Sequence, residues 1–251
     1  MTQESPELTK LAALPWYDFP STRRSLDAVW RETRSLLGAR GIGQIPVALN
    51  HEAPYTEFFS YPQLVLSQCC GLDLFQPLAS NVVPFAAPVI TAFDVSPGKY
   101  FSHIVARSSA NLHTPHVIIN NRFSHSGHTT VKIWLEVHGK SHYTVSESGS
   151  HAQSLAALRE GRADIAAIDA LSWLHLDTTG LEILDSSEPA PAPPFIMGKH
   201  SIIPAEELAA ALGEAFERHG HQLGMGGVVP VSRGQYLEIA NSAATHGILG
   251  G

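Results

Sequence analysis

The stretch from Ile118 to Leu135, IINNRFSHSGHTTVKIWL, changes character twice. It opens with β-branched apolar residues, passes through a small polar cluster at Ser124, His125, Ser126 and Gly127, and resumes with helical spacing. Strand, tight turn and helix start is the order this predicts, with the helix over about Thr129 to His138. A helix start exposes unpaired backbone N–H groups, and those are satisfied either by a capping hydroxyl or by a bound anion. Ser124 and Ser126 are suited to both tasks, and Gly127 would let a ligand approach the backbone. No lysine follows the glycine, so the spacing is not that of a nucleotide-hydrolysing phosphate loop.

A second junction of the same kind follows. HYTVSES reads as a strand, Gly149 and Ser150 stand at its end, and a helix runs from about His151 to Arg159, closed by Gly161. Ser150 again fits a cap, with His151 in the first turn. If the two strands lie in one parallel sheet, both helix starts share its carboxyl edge, where ligands of α/β proteins bind. Asp169 ends the apolar run IAAI. It is either a further cap or an acceptor for a protonated ligand oxygen or a ligand ammonium; it would repel a fully ionised group.

Outward from this centre the strand–helix alternation continues. LAALPWYDF reads as a strand and a loop. Ser21 caps a helix with Leu26, Val29, Trp30, Thr33, Leu36 and Leu37 on one face, ended by Gly41. QIPVALN and QLVLSQCCG read as strands, with PYTEFFSY a short helix between them. NVVPFAAPVITAF, KYFSHIVARS, ADIAAIDA, LEILDSS and FIMG are further strands. Pro204 opens a helix with Leu208, Leu212, Ala215 and Phe216 inward. HGHQLGMGGVVPVSRG reads as a glycine-rich loop, and QYLEIANSAA as a closing helix. The pattern predicts an α/β protein with mostly parallel sheets. In the first half, Tyr17, Ser67 and Gln68 also stand near strand ends, where they would serve as neutral donors or simply pack. SSEPAPAPPF, with four prolines in ten residues, is the clearest break. It is either a linker or a segment returning the chain to its first half.

Composition excludes several classes. The 251 residues are 44% apolar and 16% charged, as in ordinary globular proteins, and no run is long enough to cross a bilayer. A net charge of −7 leaves no electrostatic footprint for nucleic acid, so an anionic guest needs local donors. The adjacent Cys69 and Cys70 suit neither a disulfide framework nor a zinc site. Among fourteen histidines, the pairs His125–His128 and His138–His142 lack a carboxylate at zinc-site spacing, so no metal or other cofactor is expected. No Gly-x-Ser-x-Gly elbow indicates a hydrolase. The opening residues MTQESPELTKLAALPWYDF have three acids and no apolar core of signal length. The expectation is a cytoplasmic protein, or a periplasmic or extracytoplasmic one whose leader has been removed.

Six segments in order, LPWYD, LVLSQCCG, GKYFSHIVAR, NNRFSHSGHTT, SGSHAQSLAALREGRADIAAIDALSW and PAPPFIMG, resemble the phosphate, phosphite and phosphonate substrate-binding proteins of ABC transporters, over Leu14 to Gly198. The resemblance implies a two-lobed type 2 periplasmic-binding fold. One lobe would comprise 1–97 and 190–251, the other 98–189, with the ligand trapped between them. It implies an oxyanion held by Ser124, His125, Ser126, Gly127 and His151, with Asp169, Tyr17, Ser67 and Gln68 completing the site. Relatives often carry a tyrosine and a cysteine in the segment reading PVITAFDVSPGKY here. Ile90 and Val95 stand near those places, which implies a pocket lacking one aromatic wall.

The expected function is therefore capture of a small oxyanion without chemistry, for delivery to an ABC permease or for sensing, with no nucleic-acid partner and no membrane insertion. Two rivals share the sequence features. An enzyme on the same scaffold, dehydratase-like or from a cofactor pathway, would use His151 and Asp169 as an acid–base pair. An interaction module would have an empty or apolar cleft.

Overall fold

A computed structural model describes residues 10–249. Residues 1–9, which carry part of the opening segment read for a leader, lie outside the described residues. The described residues form two compact units: 10–98 with 193–235, and 99–192 with 236–249. The segment from Tyr236 onward thus groups with the second unit, against the expected boundary, which assigns it to the first.

The first unit holds the strands β1 (Leu11–Ala12), β2 (Leu64–Gln68), β3 (Val82–Ile90), and, numbered in chain order, β11 (Phe195–Gly198) and β12 (Met225–Pro230). They form one sheet in the order β1-β2-β11-β3-β12. Helix α1 (Arg23–Ala39) buries Leu26, Val29, Trp30, Thr33 and Leu37 and packs on α5 (Ala205–His219), which covers β12. The cap position is Thr22 rather than the expected Ser21, and no side chain caps the helix, because the Thr22 hydroxyl donates to the Tyr17 carbonyl at 2.5 Å. At the other end Gly41 takes φ +80°, a conformation other residues avoid.

The second unit holds β4 (Lys99–Tyr100), β5 (Ser102–Ala106), β6 (His116–Ile119), β7 (Thr144–Glu147), β8 (Ile165–Asp169), β9 (Glu182–Ser186) and β10 (Ala190–Pro191). Its main sheet runs β7-β6-β8-β5-β9, and β10 pairs with β4 as a separate ribbon. Strand periodicity divides its core in two. Val105, Ile118, Ala166 and Ile168 face α3 (His151–Arg159), while Ile104, Val117, Ile119, Ile165 and Ala167 face α2 (Thr130–Val137). A sheet apolar on both faces must be covered on both, which explains the unbroken apolar runs HVII and IAAI. Helices α4 (Ala170–His175) and α6 (Leu237–Thr245) complete the unit.

Three expectations are corrected. The sheets are mixed rather than mostly parallel: β1–β2, β6–β7 and β6–β8 are parallel, and the remaining neighbours are antiparallel. QIPVALN is irregular; Pro46 has no N–H for a ladder, Val47 is exposed, and the Trp30 indole N–H instead holds the Pro46 carbonyl at 3.2 Å. The glycine-rich segment after His221 contains the edge strand β12, whose register shifts between Met225 and Val228, where Gly226 and Gly227 form a bulge.

Candidate functional site

The second unit's sheet brings the two junctions together. β6 and β7 are parallel neighbours, pairing His116 with Thr144 through to Ile119 with Glu147, so both chains leave at one edge. After β6 the chain turns at Ser124 into a π-helical turn, His125–Thr129, that continues as α2. After β7, Gly149 at φ +99° redirects the chain and Ser150 opens α3.

Both serines cap. Ser124 Oγ accepts the Gly127 N–H at 3.0 Å, and Ser150 Oγ accepts the Gln153 N–H at 3.2 Å. Capping leaves other groups over. Ser126 Oγ lies 3.0 Å from His151 Nε2 and 3.4 Å from Ser124 Oγ. The first-turn amide of Ser126 makes no hydrogen bond among the described residues, and Ser126 is 2% exposed. Ser148 braces the second junction, its hydroxyl 2.8 Å from Ser154 Oγ.

Burial holds His151 neutral, lowering its pKa to about 4. A neutral imidazole carries one N–H. His151 Nδ1 is buried without a partner, and buried orphan donors are rarer than buried orphan acceptors. That favours the tautomer in which Nε2–H donates to Ser126 Oγ. The Ser126 hydroxyl then keeps its own proton to donate.

A side chain at 127 would force its neighbour to move. A Cβ there would stand 1.8 Å from Asn120 Oδ1, a buried atom that itself has no hydrogen bond. Sequence reasoning passed over Asn120, because nothing in its spacing marks a side chain that turns back on the helix start.

The remaining candidates divide. His125 is 8% exposed and lines a separate groove facing α6, with Glu238 the nearest influential charge; burial lowers its pKa to about 4. Asp169 is fully buried, pairs in register with Ser102, and caps α4 by accepting the Ser172 N–H at 2.9 Å. In the first unit, Tyr17 is 2% exposed and Ser67 fully buried, its hydroxyl without a partner. The Gln68 amide donates to the Pro193 carbonyl at 2.9 Å. The adjoining Cys69 and Cys70 are free and buried. The Cys70 N–H is held by Tyr55 Oη at 3.1 Å and Asp73 Oδ2 at 3.0 Å, and Tyr55 also donates to Asp73. Among the described residues no three metal-ligating side chains converge, and no helix is long and apolar enough to cross a membrane.

Known structures share this architecture. PhnD1 from Prochlorococcus marinus, solved with methylphosphonate, superposes with a TM-score of 0.73 at 16% identity, covering 97% of this chain and 100% of that one. A binding-protein component of a phosphonate ABC transporter from Pseudomonas aeruginosa gives 0.69 at 11% identity, over 95% and 86%. MatC from Rhodopseudomonas palustris, solved with malate, gives 0.61 at 11%, over 95% and 98%. At these identities the likeness establishes the fold, that of two-lobed periplasmic binding proteins. No curated protein sequence matches the chain. The family model described as "ABC transporter, phosphonate, periplasmic substrate-binding protein" matches residues 75–233. The chain belongs to that family of phosphonate-type transporter binding proteins. Its role is solute binding for ABC uptake rather than catalysis, which removes the enzyme alternative, and its family acts outside the cytoplasm.

Proposed function

We propose that the chain captures a phosphorus oxyanion, a phosphonate, phosphite or phosphate, and hands it to a cognate membrane permease on the extracytoplasmic side. The observation that carries this is the Ser126–His151 contact of 3.0 Å, which joins two helix starts at one sheet edge. The grip consists of the Ser124 and Ser126 hydroxyls with the first-turn amides of α2's leading turn and of α3. All are neutral donors, suited to an anion in a molecule of net charge −7. Gly127 keeps the backbone approachable and His151 orients Ser126. Asp169, already committed as a cap, would select against a fully ionised group and favour a protonated oxygen.

Thermal-shift titration with phosphate, methylphosphonate, phosphite, sulfate and acetate tests this. Stabilisation by phosphorus oxyanions that disappears in Ser126→Ala supports the reading. Equal response to sulfate or acetate, or no response to any anion, overturns it.

A further inference from the structure

We infer that the second unit carries a separate site for a small organic cation, in the groove between α2, α6 and the segment following β9. The groove encloses about 530 Å³, within the range of small-molecule pockets. Its floor is apolar, with Ile104 and Ile133, and one wall is aromatic. The Trp134 and His138 rings stack there with centroids 4.2 Å apart at 26°. His138 Nδ1–H donates to the Trp134 carbonyl at 2.9 Å, which fixes the stack.

Charge complementarity names the occupant. Three carboxylates line the groove, Asp185, Glu188 and Glu238, and no lysine or arginine does. Asp185 is pinned at the aromatic wall by the Trp134 indole N–H at 2.9 Å and faces His138 Nε2 at 4.0 Å. Lys99 neutralises part of Glu238 from outside the groove, at 3.2 Å. The Glu188 side chain is exposed and has no hydrogen bond or ion pair among the described residues. His125 closes the inner end and is held neutral by burial, so it adds no opposing charge. An aromatic face beside carboxylates attracts a poorly hydrated ammonium through the ring quadrupole and Coulomb attraction. A ligand with an apolar body and an ammonium head matches floor, wall and rim together. An anion would meet three carboxylates. The site is independent of the oxyanion reading, since neither Ser126 nor His151 lines the groove.

Calorimetric titration of the full chain with benzyltrimethylammonium, benzyl alcohol and benzoate, without any phosphorus oxyanion, tests the inference. The Trp134 indole resonance is followed in parallel. The cation should bind saturably and about tenfold more tightly than the neutral alcohol, the amount expected from one partly desolvated cation–π contact with a carboxylate beside it. It should shift the Trp134 signal, and benzoate should not bind. Glu188→Lys, at an exposed and unpaired position, should weaken the cation at least about fivefold with the fold intact by circular dichroism. Equal affinity for cation and alcohol, an unmoved Trp134 signal, unchanged affinity in Glu188→Lys, or no saturable binding would each overturn it.

Discussion

Ser126 Oγ and His151 Nε2 lie 3.0 Å apart although twenty-five residues separate them. The contact follows from parallel pairing of β6 with β7, which delivers two helix starts to one edge. With Nδ1 buried and unpartnered, the imidazole is best read as donor, which leaves the serine its own proton to donate. In the proposed oxyanion site Ser126 would be the touching group, and His151 would position it.

The two residues should therefore act as one unit. Ser126→Ala removes a hydrogen bond to a charged ligand, worth about 1.5–3 kcal/mol, or roughly ten- to hundredfold in affinity. His151→Ala should weaken methylphosphonate binding by a similar factor by freeing Ser126 to rotate. The double variant should lose much less than the sum, as residues in one network do. Isothermal titration of the four proteins with methylphosphonate checks this; strictly additive losses would show that the contact plays no part in binding.

Acid should destabilise the fold through its buried histidines. Burial lowers the folded pKa of both His125 and His151 to about 4, against 6.5 for a free side chain. Between those values the unfolded chain binds more protons, so stability falls as pH drops from about 6.5 to about 4. Each group contributes up to about 3 kcal/mol across that window. Melting temperatures at pH 7.0 and 4.5 should separate less in His125→Gln than in the parent. An equal acid penalty in both would show that His125 titrates normally.

Much of this was legible in the chain. Helix α3 was found end to end because Gly149, Ser150 and Gly161 punctuate it. The pairing of junctions was legible because each repeats the order strand, small polar turn, helix. Other features depend on contacts distant in sequence. Strand β12 hides behind Gly226 and Gly227, and only its pairing with β3 makes it a strand. QIPVALN has strand composition, yet the Pro46 carbonyl goes to an indole on α1 instead of a ladder. His125 looks equivalent to Ser126 in sequence, but a helical step of one residue turns it toward α6, which arrives more than a hundred residues later.

Asp73 carries an electrostatic cost that a substitution should relieve. Burial raises its pKa to about 6 even though Tyr55 and the Cys70 N–H both favour the charged form. Its folded pKa exceeds the ordinary value of 3.8, so the folded state binds more protons between the two and loses stability as pH rises through about 6. Asn can accept the same hydrogen bonds without the charge. Asp73→Asn should raise stability at pH 7.5 by about 1–3 kcal/mol, with the gain shrinking toward pH 5. Denaturant unfolding at the two pH values checks this. Destabilisation of the variant at pH 7.5 would mean that the carboxylate's hydrogen bonds outweigh its desolvation.

Gly127 and Asn120 supply a test in which one substitution repairs another. An added methyl at 127 would collide with Asn120 Oδ1, 1.8 Å from the ideal Cβ position, and with Ser124 Oγ at 3.2 Å. Gly127→Ala alone should cost about 1–3 kcal/mol of stability, as overpacking does, and should displace Ser124 and Ser126 with a fall in oxyanion affinity. Asn120→Ala alone removes an oxygen that has no partner, so it should cost little in hydrogen bonding. In the double variant the main obstruction is gone, and both melting temperature and methylphosphonate affinity should recover most of the loss. Recovery of stability without affinity would assign Asn120 a direct part in orienting the helix start. Recovery of neither would place the damage of Gly127→Ala in the backbone itself.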